Sequence, residues 1–228
     1  MNMISLENVS KHYLKRNRIV RALDEIDLRV GKGEFLVVRG PSGSGKTTLL
    51  LTIGGMLCPT SGRLEMEGRD LYGMKAKERA EFRAEKIGFV FQLFHLIPYL
   101  NVTENILIPV EGRSAQEPGF KKKAGALLDR LNLVDRAAHY PAELSAGEKQ
   151  RTAMARALIR KPDIILADEP TGNLDPENAA EIARCLREIQ TDTCTVIVVT
   201  HGQEYDSCAD RVIQLDQGRI VPRQRHLS

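Results

Sequence analysis

Eight consecutive residues constrain this chain more than any other part of it: Gly40, Pro41, Ser42, Gly43, Ser44, Gly45, Lys46 and Thr47. They match the pattern G-x-x-x-x-G-K-[ST] and lie between a β-branched run, Phe35–Arg39, and a run of helical character, Thr47–Leu57. Glycines let the backbone curl until successive N–H groups face one anion, and the start of the following helix adds its positive end. Lys46 can then reach the β- and γ-phosphates of a nucleotide, and the Thr47 hydroxyl is a ligand for Mg2+. Thr48 follows in the same first turn and joins the phosphate-binding set. One phosphate–ammonium contact contributes about 4 kcal/mol at an effective dielectric of about 20, before desolvation is subtracted. The pattern arises by chance about once in a hundred chains of this length, so its strand–turn–helix setting decides for a triphosphate cradle.

A second constellation supports the first. Ile164–Ala167 is an apolar run that reads as a buried strand, and it delivers Asp168 and Glu169 at its C-terminal end. Ligands of open α/β sheets sit at that edge. Asp168 suits a Mg2+ site, and Glu169 is placed to polarise water for in-line attack on a γ-phosphate.

Composition sets the frame. The chain has 228 residues, 42% of them hydrophobic, which suits one folding unit with a real core. Its charge, 33 basic against 30 acidic residues or +3, gives no ground for nucleic-acid binding. Lys121–Lys123 reads as a solvated helix face. Cys58, Cys185, Cys194 and Cys208 form no CxxC pair, so neither a zinc site nor a disulfide framework is expected. No stretch approaches 18 apolar residues, and the first ten residues hold no apolar leader core. The expectation is a soluble, cytoplasmic chain whose membrane role comes from a partner.

Strands are predicted at Ile4–Val9, Ile26–Val30, Phe35–Arg39, Gly62–Glu67, Lys86–Phe91, Ile164–Ala167, Thr195–Thr200, Arg211–Leu215 and Arg219–Val221. From about Asn101 to Arg160 the apolar period becomes helical, through Leu127, Leu128, Leu131, Met154, Ala157 and Leu158. A helix near Glu177–Gln190 joins two strands as a crossover, which favours a parallel sheet in an α/β fold.

Leu144-Ser145-Ala146-Gly147-Glu148, followed by a helix expected over Lys149–Arg160, resembles the signature LSGGQ of ABC ATPases. Further elements stand in that family's order. Gln92 resembles its Q-loop glutamine, Asn173-Leu174-Asp175 its D-loop, His201 its switch histidine and Tyr13 its adenine-stacking aromatic. The resemblance implies a P-loop NTPase (RecA-like) core with a parallel sheet, an N-terminal antiparallel β subdomain and an inserted helical subdomain. Residues 1–228 would form a single ABC ATPase domain, with the core at about 1–91 and 161–228 and the helical part at about 92–160. The implied cofactors are ATP and Mg2+, with Glu169 and His201 catalytic. Nucleotide would meet Tyr13, Gly40–Thr48, Gln92, Ser145, Gly147 and Asp175, and the metal would meet Thr47, Gln92 and Asp168.

Glu169–Asp175 and Phe91–Pro98 resemble the lipoprotein-release and macrolide-export (LolD/MacB-like) branch. That implies an ATP-sandwich homodimer in which Ser145 of one copy covers the γ-phosphate held by the other. It also implies an integral membrane permease on a separate chain, engaged from the cytoplasmic face. Phe94, Leu96, Ile97, Pro98 and Tyr99 would form part of the groove for its coupling helix, or else pack the helical subdomain. Ala146 adds a methyl where the family has glycine, and Gly202 follows His201 where the family commonly has an acid. A cassette driving a signalling or cell-division complex remains an alternative to transport. A soluble relative acting on DNA or ribosomes is disfavoured, because one set of motifs is present and the interval between Thr47 and Leu144 is short. A GTPase is disfavoured by the lack of an N-K-x-D motif.

Overall fold

The computed structural model describes residues 2–15, 18–110 and 119–222. Alternating apolar and polar positions open the chain and pair with one another. Asn2–Lys15 (β1) and Arg18–Gly31 (β2) run antiparallel, from Asn2 opposite Gly31 to Lys15 opposite Arg18. Along β2, Leu23, Ile26, Leu28 and Val30 point inward while Glu25, Asp27 and Arg29 stay in solvent, the pattern of a sheet wetted on one face. The expected strands Ile4–Val9 and Ile26–Val30 are thus the inner halves of a longer hairpin, whose outer residues 13–15 and 18–21 are exposed and carry no alternation to read.

Phe35–Arg39 (β3) leads through the glycine-rich turn into Lys46–Ile53 (α1). That helix stops earlier than expected, because Gly54 closes it with its N–H on Leu50 O and Gly55 takes a φ of 67°. Ser61–Met66 (β4) and Arg69–Asp70 (β5) complete a four-stranded antiparallel sheet in the order β2-β1-β4-β5. Ala76–Lys86 (α2) was not expected. Its one buried residue is Phe82, so it shows no apolar stripe to read.

Ile87–Phe91 (β6) precedes a helical stretch: Val102–Leu107 (α3), Gly119–Arg130 (α4) and Ala146–Leu158 (α5). Helix α5 begins three residues before the expected Lys149 because Ser145 and Glu148 form a capping box. Ile164–Asp168 (β7), Pro176–Ile189 (α6), Thr195–Thr200 (β8), Arg211–Asp216 (β9) and Arg219–Val221 (β10) follow. The second sheet has the order β10-β9-β3-β8-β7-β6, parallel throughout except for the β9–β10 hairpin.

Period two along the parallel strands divides the core in two. Leu36, Val38, Leu166 and Val199 face the antiparallel sheet and α1, whereas Phe35, Val37, Ile165 and Val198 face the helices α3 to α6. Strands buried on both faces read as unbroken apolar runs, and β3, β7 and β8 do so. Lys121 and Lys122 are exposed on α4, as expected, but Lys123 is half-buried with its ammonium over the Phe120 ring; all four cysteines are free. Among the described residues no helix is long and apolar enough to cross a membrane.

Candidate functional site

Strand order brings the singled-out residues together. β6, β7, β8 and β3 are parallel neighbours, so Gln92, Glu169, His201 and Gly40 leave the sheet at one C-terminal edge. Register ties them further: Phe91 pairs with Asp168, Asp168 with Val199, and Arg39 with Thr200. The Gly40 N–H donates to Thr200 O at 3.3 Å and the Glu169 N–H to Val199 O at 2.9 Å.

The turn from Gly40 to Gly45 needs its glycines for space as well as for rotation. A Cβ at Gly40 would stand 2.1 Å from Leu215 O. At Gly45, where φ is 105°, it would stand 2.2 Å from Ala22 O. Gly43, with φ of 79°, borders open space and leaves the concave side of the loop free. Helix α1 then starts with no side-chain cap and no acid in its first turn, so its leading N–H groups are free for an anion. Lys46 is buried, and its Nζ donates to Gly40 O at 2.8 Å and Pro41 O at 3.0 Å. The ammonium therefore lies within the loop that a phosphate would fill.

Across the edge, Thr47 Oγ1 donates to Asp168 Oδ1 at 3.1 Å. Burial pushes the Asp168 carboxyl up; the Thr47 bond pulls it down, Glu169 adds to the rise, and Lys46 opposes it. This hydroxyl and carboxylate are hard oxygen ligands of the kind Mg2+ takes.

Glu169 has φ of 44°, a left-handed backbone costing a non-glycine residue about 1–2 kcal/mol. The turn that holds it there is closed by the Gly172 N–H on Glu169 O at 3.1 Å. Its Oε1 lies 3.7 Å from Lys46 Nζ, and its Oε2 lies 2.9 Å from His201 Nδ1 and accepts from Thr200 Oγ1 at 3.0 Å. Strained backbone, a carboxylate and a histidine in contact beside a lysine form an arrangement suited to directing water at a bound phosphate.

Gln92 joins this edge. Its main-chain O accepts from Asn173 Nδ2 at 3.0 Å, and its Nε2 lies 2.9 Å from where a Cβ on Gly172 would be. Tyr13 is 41% exposed on β1, opposite Val20. Ala22, two residues further along the same hairpin, abuts Gly45, which sets a half-open aromatic ring on the hairpin that borders the glycine turn.

Ser145, Gly147 and Asp175 form a second group, knitted together by a residue the motifs did not point to. Ser145 Oγ accepts from the Glu148 N–H at 3.2 Å, capping α5, and Ala146 is exposed in the first turn. Burial alone would push the Glu148 carboxyl up, but bonds from Ser145 and Arg136 outweigh it and hold it low. Asp175 caps α6, accepting from the Asn178 N–H at 3.0 Å and Asn178 Nδ2 at 2.6 Å. Asn178 Oδ1 in turn stands 2.2 Å from where a Cβ on Gly147 would lie, which leaves room for glycine alone. Asn178 could not be found from spacing, since its importance is a contact between α5 and α6.

The apolar run after Gln92 is divided. Leu96 packs against the core, whereas Leu93 and Tyr99 are 69% and 77% exposed. Arg156 holds this loop by donating to His95 O and Phe94 O, and Asn105 bonds Ile97, Leu100 and Asn101.

Residues 23–172 match the family model described as ABC transporter. An ABC transporter ATP-binding protein of Bacillus subtilis (strain 168) is 40% identical over 220 residues, covering 96% of each chain. Another from Methanocaldococcus jannaschii is 42% identical over 219 residues, covering 96% of this chain and 98% of that one. The macrolide export ATP-binding/permease protein MacB of Chlorobaculum tepidum is 42% identical over 219 residues, and this chain spans 34% of its length. Among solved structures, a dimeric ATP-binding cassette in a post-hydrolysis state bound to ADP and Pi superposes with a TM-score of 0.89. It is 38% identical, with 96% of this chain and 97% of that chain covered.

Proposed function

Because this chain belongs to the ABC transporter family and is an ATPase of that family, we propose that two copies of it sandwich ATP to drive a membrane permease. The single observation that carries the site assignment is Glu169, held between Lys46 at 3.7 Å and His201 at 2.9 Å beside the glycine cradle. Backbone N–H groups from Gly43 to Thr48 hold the phosphates, and Lys46 exchanges its bonds to Gly40 O and Pro41 O for β- and γ-phosphate oxygens. Tyr13 stacks on the adenine. Thr47, Asp168 and Gln92 would hold Mg2+, which would supply charge neutralisation on the triphosphate. Glu169 accepts the proton of an attacking water, the bond between water oxygen and γ-phosphorus forms, and the bond to the ADP oxygen breaks. His201 keeps the Glu169 carboxylate aimed. Products are ADP and inorganic phosphate.

Ser145, Gly147 and the first turn of α5 in a second copy close the other side of the γ-phosphate, with Asp175 at the seam. The dimeric relative supports this reading. ATP closes the dimer only by its differential affinity for the closed form. We read residues 92–160 as the helical subdomain and the remainder as the core, with Leu93, Pro98 and Tyr99 offered to the permease from the cytoplasmic side. A relative named as a macrolide export ATP-binding/permease protein supports a permease partner and an export role of that kind.

Calorimetric titration of the purified chain with Mg-ATP, combined with sedimentation and phosphate release, tests the proposal. The expected result is saturable binding, an ATP-dependent dimer and turnover. No heat of binding at millimolar nucleotide would overturn it.

A further inference from the structure

One carboxylate at the same edge has no part in the steps above. Glu204, three residues past His201, turns back toward the sheet. Its Oε1 accepts from Thr171 Oγ1 at 2.7 Å and lies 3.4 Å from Thr200 Oγ1. The Thr171 hydroxyl accepts in turn from the fully buried Tyr205 hydroxyl at 3.3 Å. The Thr200 hydroxyl has a single proton to share between Glu204 and Glu169, and it accepts from the Gly202 N–H at 3.0 Å. Thr171 and Thr200 are both buried whereas Glu204 is exposed, so these bonds are only part-buried.

Gly202 explains how the carboxylate fits. A Cβ there would lie 1.8 Å from Glu204 Oε2 and 2.6 Å from its Cδ. Gly202 is not among the glycines with positive φ, so space rather than backbone rotation calls for glycine at this position. The turn following Glu169 and the turn following His201 are thereby fastened to each other through one side chain.

We propose that Glu204 is a positioning residue for hydrolysis: by bridging Thr171 and Thr200 it locks these two turns in register and holds Glu169 and His201 together. The inference rests on the function proposed above. Glu204 reaches neither the phosphate cradle nor the ammonium of Lys46, so it governs turnover and leaves nucleotide affinity alone.

The test uses the full chain with Glu204→Ala, Glu204→Gln, Gly202→Ala and the double variant Gly202→Ala/Glu204→Ala. Phosphate release gives kcat and a fluorescent ATP analogue gives Kd. Losing a part-buried bond to a charged group lowers kcat about tenfold in Glu204→Ala, with Kd within about twofold of wild type. Glu204→Gln keeps an acceptor oxygen for Thr171 and holds kcat within about threefold. Gly202→Ala evicts the carboxylate and repeats the tenfold loss, yet costs nothing further when Glu204 is already alanine. Unchanged kcat in Glu204→Ala overturns the inference. So do losses in Gly202→Ala and Glu204→Ala that multiply, or a loss of kcat matched by an equal loss of affinity. Should Glu204→Ala not fold, Glu204→Gln and Gly202→Ala still decide it. Wild-type turnover in the same assay separates the two levels, because its absence overturns the proposed function itself.

Discussion

Replacing Glu169 by glutamine removes one charge from a site where three charged groups meet. Glu169 Oε1 lies 3.7 Å from Lys46 Nζ, with side chains only 15% and 8% exposed, so solvent screens the pair poorly. At an effective dielectric of about 20, two unit charges at this separation attract by about 4 kcal/mol gross. Without nucleotide that attraction holds the ammonium back, and with nucleotide the same carboxylate repels the γ-phosphate. If a third of the gross term passes into binding, Glu169→Gln tightens ATP about tenfold. Turnover moves the other way. Glutamine keeps the bond to Thr200 but cannot accept a proton, and loss of a general base of this kind lowers kcat by about a thousandfold. The assay pairs single-turnover phosphate release with calorimetric Kd and gel filtration, where ATP should hold the variant as a dimer. Turnover within tenfold of wild type would remove Glu169 from the chemistry. Weakened ATP binding would refute the electrostatic competition for Lys46.

Gly147→Ala drives its new methyl into Asn178, which must release Asp175; overpacking of this kind costs about 1–3 kcal/mol, lowering Tm by about 2–4 °C for each. Calorimetric melting checks it, and Asn178→Ala should relieve most of the loss. Asp168→Asn abolishes hydrolysis yet raises the Tm of the nucleotide-free chain at neutral pH, because burial and Glu169 raise the folded-state pKa of Asp168. A raised carboxylate pKa gives stability that is present below the unfolded value and lost as pH climbs through the folded one. The advantage of asparagine should therefore vanish as pH falls through that window, which a pH series of melts measures. Tyr13→Ala weakens ATP binding about tenfold, the worth of one aromatic stack of about 1–3 kcal/mol, while Tyr13→Phe restores it. Equal affinity in Tyr13→Ala would put the adenine elsewhere.

Legibility in the sequence followed how locally each feature is encoded. Gly40–Thr47 could be read because the curl, the donor row and the helix start all belong to neighbouring residues. The strands β3, β7 and β8 could be read because burial on both faces leaves an unbroken apolar run. Helix α2 could not, since a helix that buries only Phe82 leaves no stripe. Helix α5 starts ahead of Lys149 because the capping bonds of Ser145 and Glu148, which signature spacing does not reveal, set the helix boundary. The run from Phe94 to Tyr99 read as one apolar patch, but packing drew Leu96 inward and left Tyr99 out.

The chain's own residues determined the family, the nucleotide cradle and the two acids at the end of β7, because each rests on contiguous residue types with a fixed backbone chemistry. Tertiary structure decided what depends on distant residues meeting. It drew Gln92, Glu169, His201 and Gly40 to one sheet edge, set Asn178 against Gly147, and laid the Glu204 carboxylate over Gly202. Linear order carries no distance between such groups; only the packing of parallel strands and helices does.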